Sequence, residues 1–186
     1  EEYLALGPEK GYAECAQRVR AHWHWYQQNY AEFRRFRLKM VFPLIGLRET
    51  RRVRGEYVLN QNDLIDGLSK QNHADVIAIA DHPMDNHGGG GPGGELTDAY
   101  GIPYRCLLPL KTENVLIAGR AASFSAIAAS SCRLSRTMMQ LGEAAGTAAH
   151  LACVQGKPLR QISAEDIRRE MQGKIDREGG TSGRDF

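Results

Sequence analysis

The side chains best suited to chemistry stand together in one short stretch of the chain. Asp81, His82, Asp85 and His87 place two carboxylates and two imidazoles within seven residues. Because imidazole exchanges protons near neutral pH, this stretch predicts a general acid or base, and His87 is the first choice. The same four side chains could converge on one metal ion in a tight loop. A metal-dependent enzyme that uses them is therefore an alternative hypothesis.

A glycine-rich segment follows these residues directly. Residues 88–93 fit the pattern GxGxxG, but His87 precedes them and Pro92 interrupts them. A dinucleotide fingerprint joins a strand to a helix, so that backbone amides at the helix N-terminus meet the pyrophosphate. No helical pattern follows here, and the segment therefore predicts a loop. The chain also lacks the P-loop, the nucleophile elbow and the HExxH zinc motif.

A second set of small residues lies on a predicted helix from about residue 134 to 154, which ends at Gly156. Gly142 and Gly146 are four residues apart and share one face, which alanines at 145, 149 and 152 widen. Two glycines cost a helix about 2 kcal/mol relative to alanine. This cost predicts the close approach of another backbone or of a flat ligand, or close packing on a sheet.

The segment before this helix predicts a strand over residues 114–118, which Gly119-Arg120 ends. The order strand, turn and small-residue helix suits a bound cofactor. A single strand of this kind needs parallel neighbours, and the chain offers few. Because the chain also opens on Glu1 without a methionine, we expect part of the fold to lie outside these 186 residues.

The remaining predicted helices and strands must position the candidate residues described above. Aromatic residues at helical spacing predict one long amphipathic helix over residues 11–40, and the alternative of a partner-binding domain depends on this face. Apolar runs predict strands at 53–59 and 74–80. A short helix is predicted at 64–68, and Ser163 is predicted to cap a last helix that runs to about residue 177.

Composition limits the class of protein. With 42% hydrophobic and 25% charged residues, the 186-residue chain is typical of a globular protein, and no apolar stretch is long enough to span a membrane. The net charge of +2 does not favour nucleic acid as a partner. Residues 18–54 contain ten Lys/Arg and two Asp/Glu, whereas residues 55–104 contain one Lys/Arg and eight Asp/Glu. The two segments are expected to pack together or to form adjacent solvated faces.

Several segments, taken in order, resemble a block of the bacterial FAD-dependent oxidoreductases. They are PLIGLRETRR (43–52), GEYVL (55–59), DL (63–64), DNH (85–87), IPYR (102–105), NVLIAGR (114–120) and LGEAAGTAA (141–149). The resemblance covers about residues 40–172. It implies an α/β fold (α+β for this piece), the C-terminal part of a glutathione-reductase-like FAD-binding fold with part of an inserted substrate domain. The family's N-terminal dinucleotide motif has no counterpart here, so the other half is expected in the same or another chain.

The resemblance also implies roles and domain limits. It divides the chain into part of a substrate domain (1–112), the C-terminal return of the FAD-binding domain (113–156), and a last helix with its tail (157–186). Hydride would pass from a small polar substrate to flavin N5 while His87 takes a proton. The residues that it places near cofactor or substrate are Gly119, Arg120, Gly142, Glu143, Ala144, Ala145, Arg105 and Arg133. An oligomer is compatible with this picture, a membrane partner is not expected, and the compartment stays open with the cytoplasm favoured.

Overall fold

The computed structural model describes residues 5–49, 51–85 and 94–177. It divides the chain into two compact units, Glu1–Leu47 and Arg48–Phe186. Helices dominate, and one small two-stranded sheet accompanies them. The predicted mixed α and β class is therefore confirmed, whereas the domain limits at 112 and 156 stay a prediction. In the described ranges no helix is both long enough and apolar enough to cross a membrane.

The first unit is built on helix α1, Pro8–Asn29. The predicted helix over 11–40 is confirmed to Asn29 and is wrong beyond it, because Tyr30 is extended and a 3-10 turn follows at Ala31–Phe33. The turn folds the Phe33 ring back onto the helix, 5.7 Å from the Trp23 ring centroid and 5.3 Å from that of Tyr26. The aromatic face is thus partly covered by its own chain, and binding of a partner there stays a prediction.

The second unit contains the remaining elements around one core. They are helix α2 (Gln61–Lys70), strands β1 (Val76–Ala80) and β2 (Tyr100–Pro103), and helices α3 (Ala126–Cys132), α4 (Ser135–Gln155) and α5 (Ala164–Arg177). The strands are antiparallel, with Ala78 opposite Ile102 and Ala80 opposite Tyr100. Tyr100 and Ile102 are fully buried, together with Leu59 from the segment before α2. The predicted strand 74–80 and the two C-terminal helices are confirmed to within a few residues.

The predicted strand 53–59 is wrong for this structure, because the segment is irregular, bends at residues 56–57 and is held by isolated bridges. Gly55 is bridged to Pro109, and Leu59 to Phe124. The backbone N–H of Leu59 donates to the Ser123 carbonyl oxygen at 3.0 Å. The segment therefore lies between two stretches of irregular backbone and satisfies its polar groups against both.

Residues 115–118 form no strand, so the prediction for 114–118 is wrong for this structure. Within the described part of the chain, one backbone hydrogen bond involves the segment, from the Ile117 N–H to the Leu107 oxygen at 2.9 Å. A strand needs a neighbour whose backbone pairs along its length. The apolar sequence has the character of a strand, but the described chain supplies no such neighbour.

Candidate functional site

The small-residue face of α4 is open. A Cβ atom placed on Gly142 or Gly146 would meet no described atom within 4 Å outside the local helix backbone. Glu143 is also exposed, whereas Ala144 is fully buried and Ala145 is half-buried. The four residues predicted near the flavin thus divide between an open face and the core.

An open groove of about 500 Å³ lies beside this face. Ala145, Gly146 and Ala149 of α4 line one wall, and Asn114 and Leu116 of the irregular segment line the other. The groove therefore joins the two regions that the sequence predicts to hold a cofactor. Because Gly146 has no side chain, the wall formed by α4 leaves room that a larger residue would fill.

The Gly119 turn brings two of the predicted arginines together. Gly119 has φ 104, a conformation that favours glycine, and its carbonyl oxygen accepts from the Ala122 N–H at 3.0 Å. The Arg120 Nε donates to the carbonyl oxygen of Arg133 at 3.4 Å. The turn after residues 115–118 is thereby held against the C-terminal end of α3.

Arg133 is the centre of what we call the Arg133 cluster, formed by Arg48, Glu49, Arg52, Asp85 and Arg133. The Arg133 side chain is only 8% exposed and pairs with Asp85 at 2.9 Å and with Glu49 at 3.5 Å. Arg48 pairs with the same Asp85 oxygen at 3.0 Å. This last pair is one contact between the basic segment and the acidic one, and both arrangements expected from the charge pattern allow it.

The carboxylates and imidazoles at 81–87 have separate partners where the structure describes them. Asp81 pairs with Arg136, and the His82 Nδ1 donates to the Pro83 carbonyl oxygen at 2.7 Å. His87, the predicted proton-transfer residue, lies outside the described residues, as does the glycine segment 88–93. In ranges 5–49, 51–85 and 94–177 no three His, Cys, Asp or Glu side chains are close enough to share a metal.

Arg105 is held by a single carboxylate. Its Nε and one terminal nitrogen each lie 3.0 Å from an oxygen of Asp75, and its backbone N–H donates to Asp75 at 3.1 Å. Burial alone would raise the pKa of Asp75, but the bonds from Arg105 outweigh it and hold that pKa below its usual value. The predicted contact of Arg105 with a substrate stays a prediction.

A buried polar network beside Arg105 was missed by the sequence analysis. One Asp63 oxygen accepts from the Tyr57 hydroxyl at 2.7 Å and lies 2.9 Å from the His73 Nε2. The other accepts from the Asn60 backbone N–H at 2.8 Å. The Asp63 and His73 side chains are 9% and 10% exposed. The Asn60 capping box is a local signal for Asp63, but nothing local indicates Tyr57 or His73.

Because Tyr57 belongs to the network around Asp63, we expect the folded protein to lose stability at alkaline pH. Burial, then the hydrogen bond to Asp63, raises the pKa of Tyr57 from 10.0 to about 12. The protonated phenol is thus favoured in the folded state, and its contribution is complete below pH 10 and lost as the pH rises through 12. We expect the stability difference between wild type and Tyr57→Phe to be constant below this window and to shrink across it. Denaturant unfolding as a function of pH measures the difference.

The control for this titration is Tyr30→Phe, at a residue that is 43% exposed. It removes the same phenolic hydroxyl from a residue outside the Asp63 network, and so accounts for effects of alkali that are not specific to Tyr57. If the Tyr57→Phe difference is flat between pH 10 and 12, the assigned shift is wrong.

The comparison with known families agrees with the resemblance. A family model described as FAD dependent oxidoreductase matches residues 4–171, which is most of the 186-residue chain. The search of curated proteins and the search of solved structures gave no match. From the extent of the family match, the chain belongs to the FAD-dependent oxidoreductases, with FAD as the cofactor.

Proposed function

We propose that this chain is the C-terminal part of a flavoenzyme that takes hydride from a small polar substrate. The observation that carries the proposal is the open glycine face of α4, beside the groove shared with residues 114 and 116. Helix glycines are costly, so a face that keeps two of them open within this chain is suited to contact with a group outside it. A flavin or the backbone that carries its nucleotide has the flat, close-fitting shape required.

The proposal also accounts for the irregular segment 115–118. Val115 is 42% exposed, and of the backbone groups described in this segment one N–H is bonded within the chain. A nucleotide-binding half of the glutathione-reductase type, in the same or another chain, would supply the missing strand neighbours. Pairing there would convert the segment into the strand that its sequence predicts.

The residues of this chain would have distinct roles. Bound FAD supplies a two-electron acceptor. Gly119 carries no side chain and lets the ligand approach the backbone of the turn closely, while Gly142 and Gly146 leave room along α4. Arg120 and Arg133 supply positive charge beside the turn. His87 is proposed to accept the substrate proton, because its imidazole exchanges protons near neutral pH.

The test uses Gly146→Leu and two independent measurements. Because the added side chain enters open space in this chain and replaces a helix glycine, we expect the free energy of unfolding to rise by about 0.8 kcal/mol. The same side chain would occupy the proposed contact face. The visible flavin spectrum, recorded on the purified protein and after addition of FAD, is therefore expected to weaken or vanish.

Gln155→Leu is the matched control, since it places a leucine side chain at an exposed position near the end of the same helix. It should leave flavin retention unchanged. The proposal fails if Gly146→Leu folds normally and retains flavin as well as the control does. It also fails if protein that contains both this chain and its nucleotide-binding half is folded but binds no FAD, in the wild type and in the control alike.

A further inference from the structure

The Arg133 cluster carries more positive than negative charge. Among the described residues, Arg48 and Arg133 share the carboxylate of Asp85, and Arg133 and Arg52 share that of Glu49, at 3.5 and 3.7 Å. Three guanidinium groups thus share two carboxylates. Of the residues that the structure describes, Arg105 alone forms an ion pair with Asp75.

Part of the excess positive charge lies in a poorly exposed place, beside the buried thiol of Cys132. The Arg133 side chain is 8% exposed and that of Arg52 is 22% exposed. Both lie near Cys132, where burial raises the pKa of the thiol to about 12 and the two arginines oppose that rise. In a poorly solvated place an uncompensated positive charge is costly, and an added anion relieves the cost.

The cluster also has a definite position. The Val53 N–H, next to Arg52, donates to the Ala121 carbonyl oxygen at 2.9 Å, and Arg120 donates to the Arg133 backbone. The cluster therefore adjoins the Gly119 turn, at which the proposed function places the flavin. Arg48 is 58% exposed and opens the cluster to solvent.

We propose that the Arg133 cluster binds an oxyanion and that its ligand is the carboxylate of an acidic substrate. Guanidinium groups suit this task because their donors match the two oxygens of a carboxylate. The substrate assignment rests on the proposed function, but the binding of an oxyanion does not. A phosphate of FAD has the same chemistry and is the other source of such a group.

The experiment is calorimetric titration of the purified full chain with succinate and with inorganic phosphate, each at constant ionic strength, before and after loading with FAD. Arg52→Gln is expected to weaken oxyanion binding about 10- to 100-fold. Arg54→Gln is the matched control: it removes the same charge two residues away, at an exposed position. It should change the affinity less than about twofold, because an exposed charge is screened. Flavin retention, read from the visible spectrum, should be the same for both variants.

The outcomes separate the hypotheses. Succinate binding that persists with FAD bound supports the substrate carboxylate, whereas binding that FAD abolishes identifies the cofactor phosphate and overturns the substrate assignment. If neither anion binds a folded protein that retains flavin, the oxyanion site is wrong and the proposed function stands. Equal losses in Arg52→Gln and Arg54→Gln would also overturn it, because general charge would then explain the binding. Anion binding without flavin retention, in protein that also contains the nucleotide-binding half, would contradict the proposed function alone.

Discussion

Replacing Asp63 by alanine is expected to lower the free energy of unfolding of this protein by about 3–5 kcal/mol. The Asp63 carboxylate accepts from Tyr57 and from the Asn60 backbone, and its Oδ1 lies 2.9 Å from His73 Nε2. Removing it leaves buried polar groups without a partner and also removes the capping box of α2. A buried polar group without a partner costs its full desolvation, which is more than an average hydrogen bond contributes.

Denaturant unfolding of the full chain measures this effect, with Asp66→Ala as the control. Asp66 lies on the same helix but is exposed, so its replacement should change stability by less than about 0.5 kcal/mol. Asp63→Asn keeps one acceptor oxygen and should fall between the two. Similar stabilities for the Asp63→Ala and Asp66→Ala variants would show that the network does not contribute as described.

The second large effect is expected for Gly55→Ala. A Cβ atom there would lie 2.9 Å from the Ser123 Cβ and 3.0 Å from the carbonyl oxygens of Arg105 and Leu108. Two of these three atoms are backbone, so no side-chain rotation relieves the clash. Any shift would also strain the bond from the Gly55 N–H to the Ser123 hydroxyl, which is 2.9 Å long. We expect a loss of about 3 kcal/mol, typical of overpacking against a rigid wall.

The matched control for Gly55→Ala is Gly146→Ala, because the same methyl group enters open space and favours the helix. Its stability should rise by about 1 kcal/mol, so the two substitutions have opposite signs. Thermal or denaturant unfolding of both variants is the measurement. A neutral Gly55→Ala would mean that segment 53–59 does not pack as tightly as the structure shows.

Arg105 and Arg133, two of the three candidate arginines of the sequence analysis, differ in how their charges are compensated. Arg105 forms two side-chain bonds to Asp75 and stacks its guanidinium 5.2 Å from the Tyr57 ring centroid. Arg133 shares each of its two carboxylates with another arginine. Binding of a further anion is therefore more favourable at Arg133 than at Arg105, because the charge of Arg105 is already compensated by the carboxylate of Asp75.

The sequence by itself determined the elements with strong local signals. Helix α4 followed from a largely apolar stretch, and its end followed from Gly156, whose left-handed conformation the structure shows with φ 63. Helix α5 followed from the cap at Ser163, and strand β1 followed from an apolar run. The motifs and their order also indicated the family, because each motif is a short run of consecutive residues that can be recognised in the sequence without the fold.

Only the tertiary structure decided the contacts between distant residues. Tyr57, Asp63 and His73 meet because α2 and the segments on either side of it fold around one carboxylate, and Gly55 is confined by backbone at residues 105 and 108. Residues 115–118 have a strand sequence, yet in the described chain they remain irregular. The physical reason is that a helix satisfies its hydrogen bonds within its own sequence, whereas a strand or a buried polar network depends on partners that the fold must bring to it.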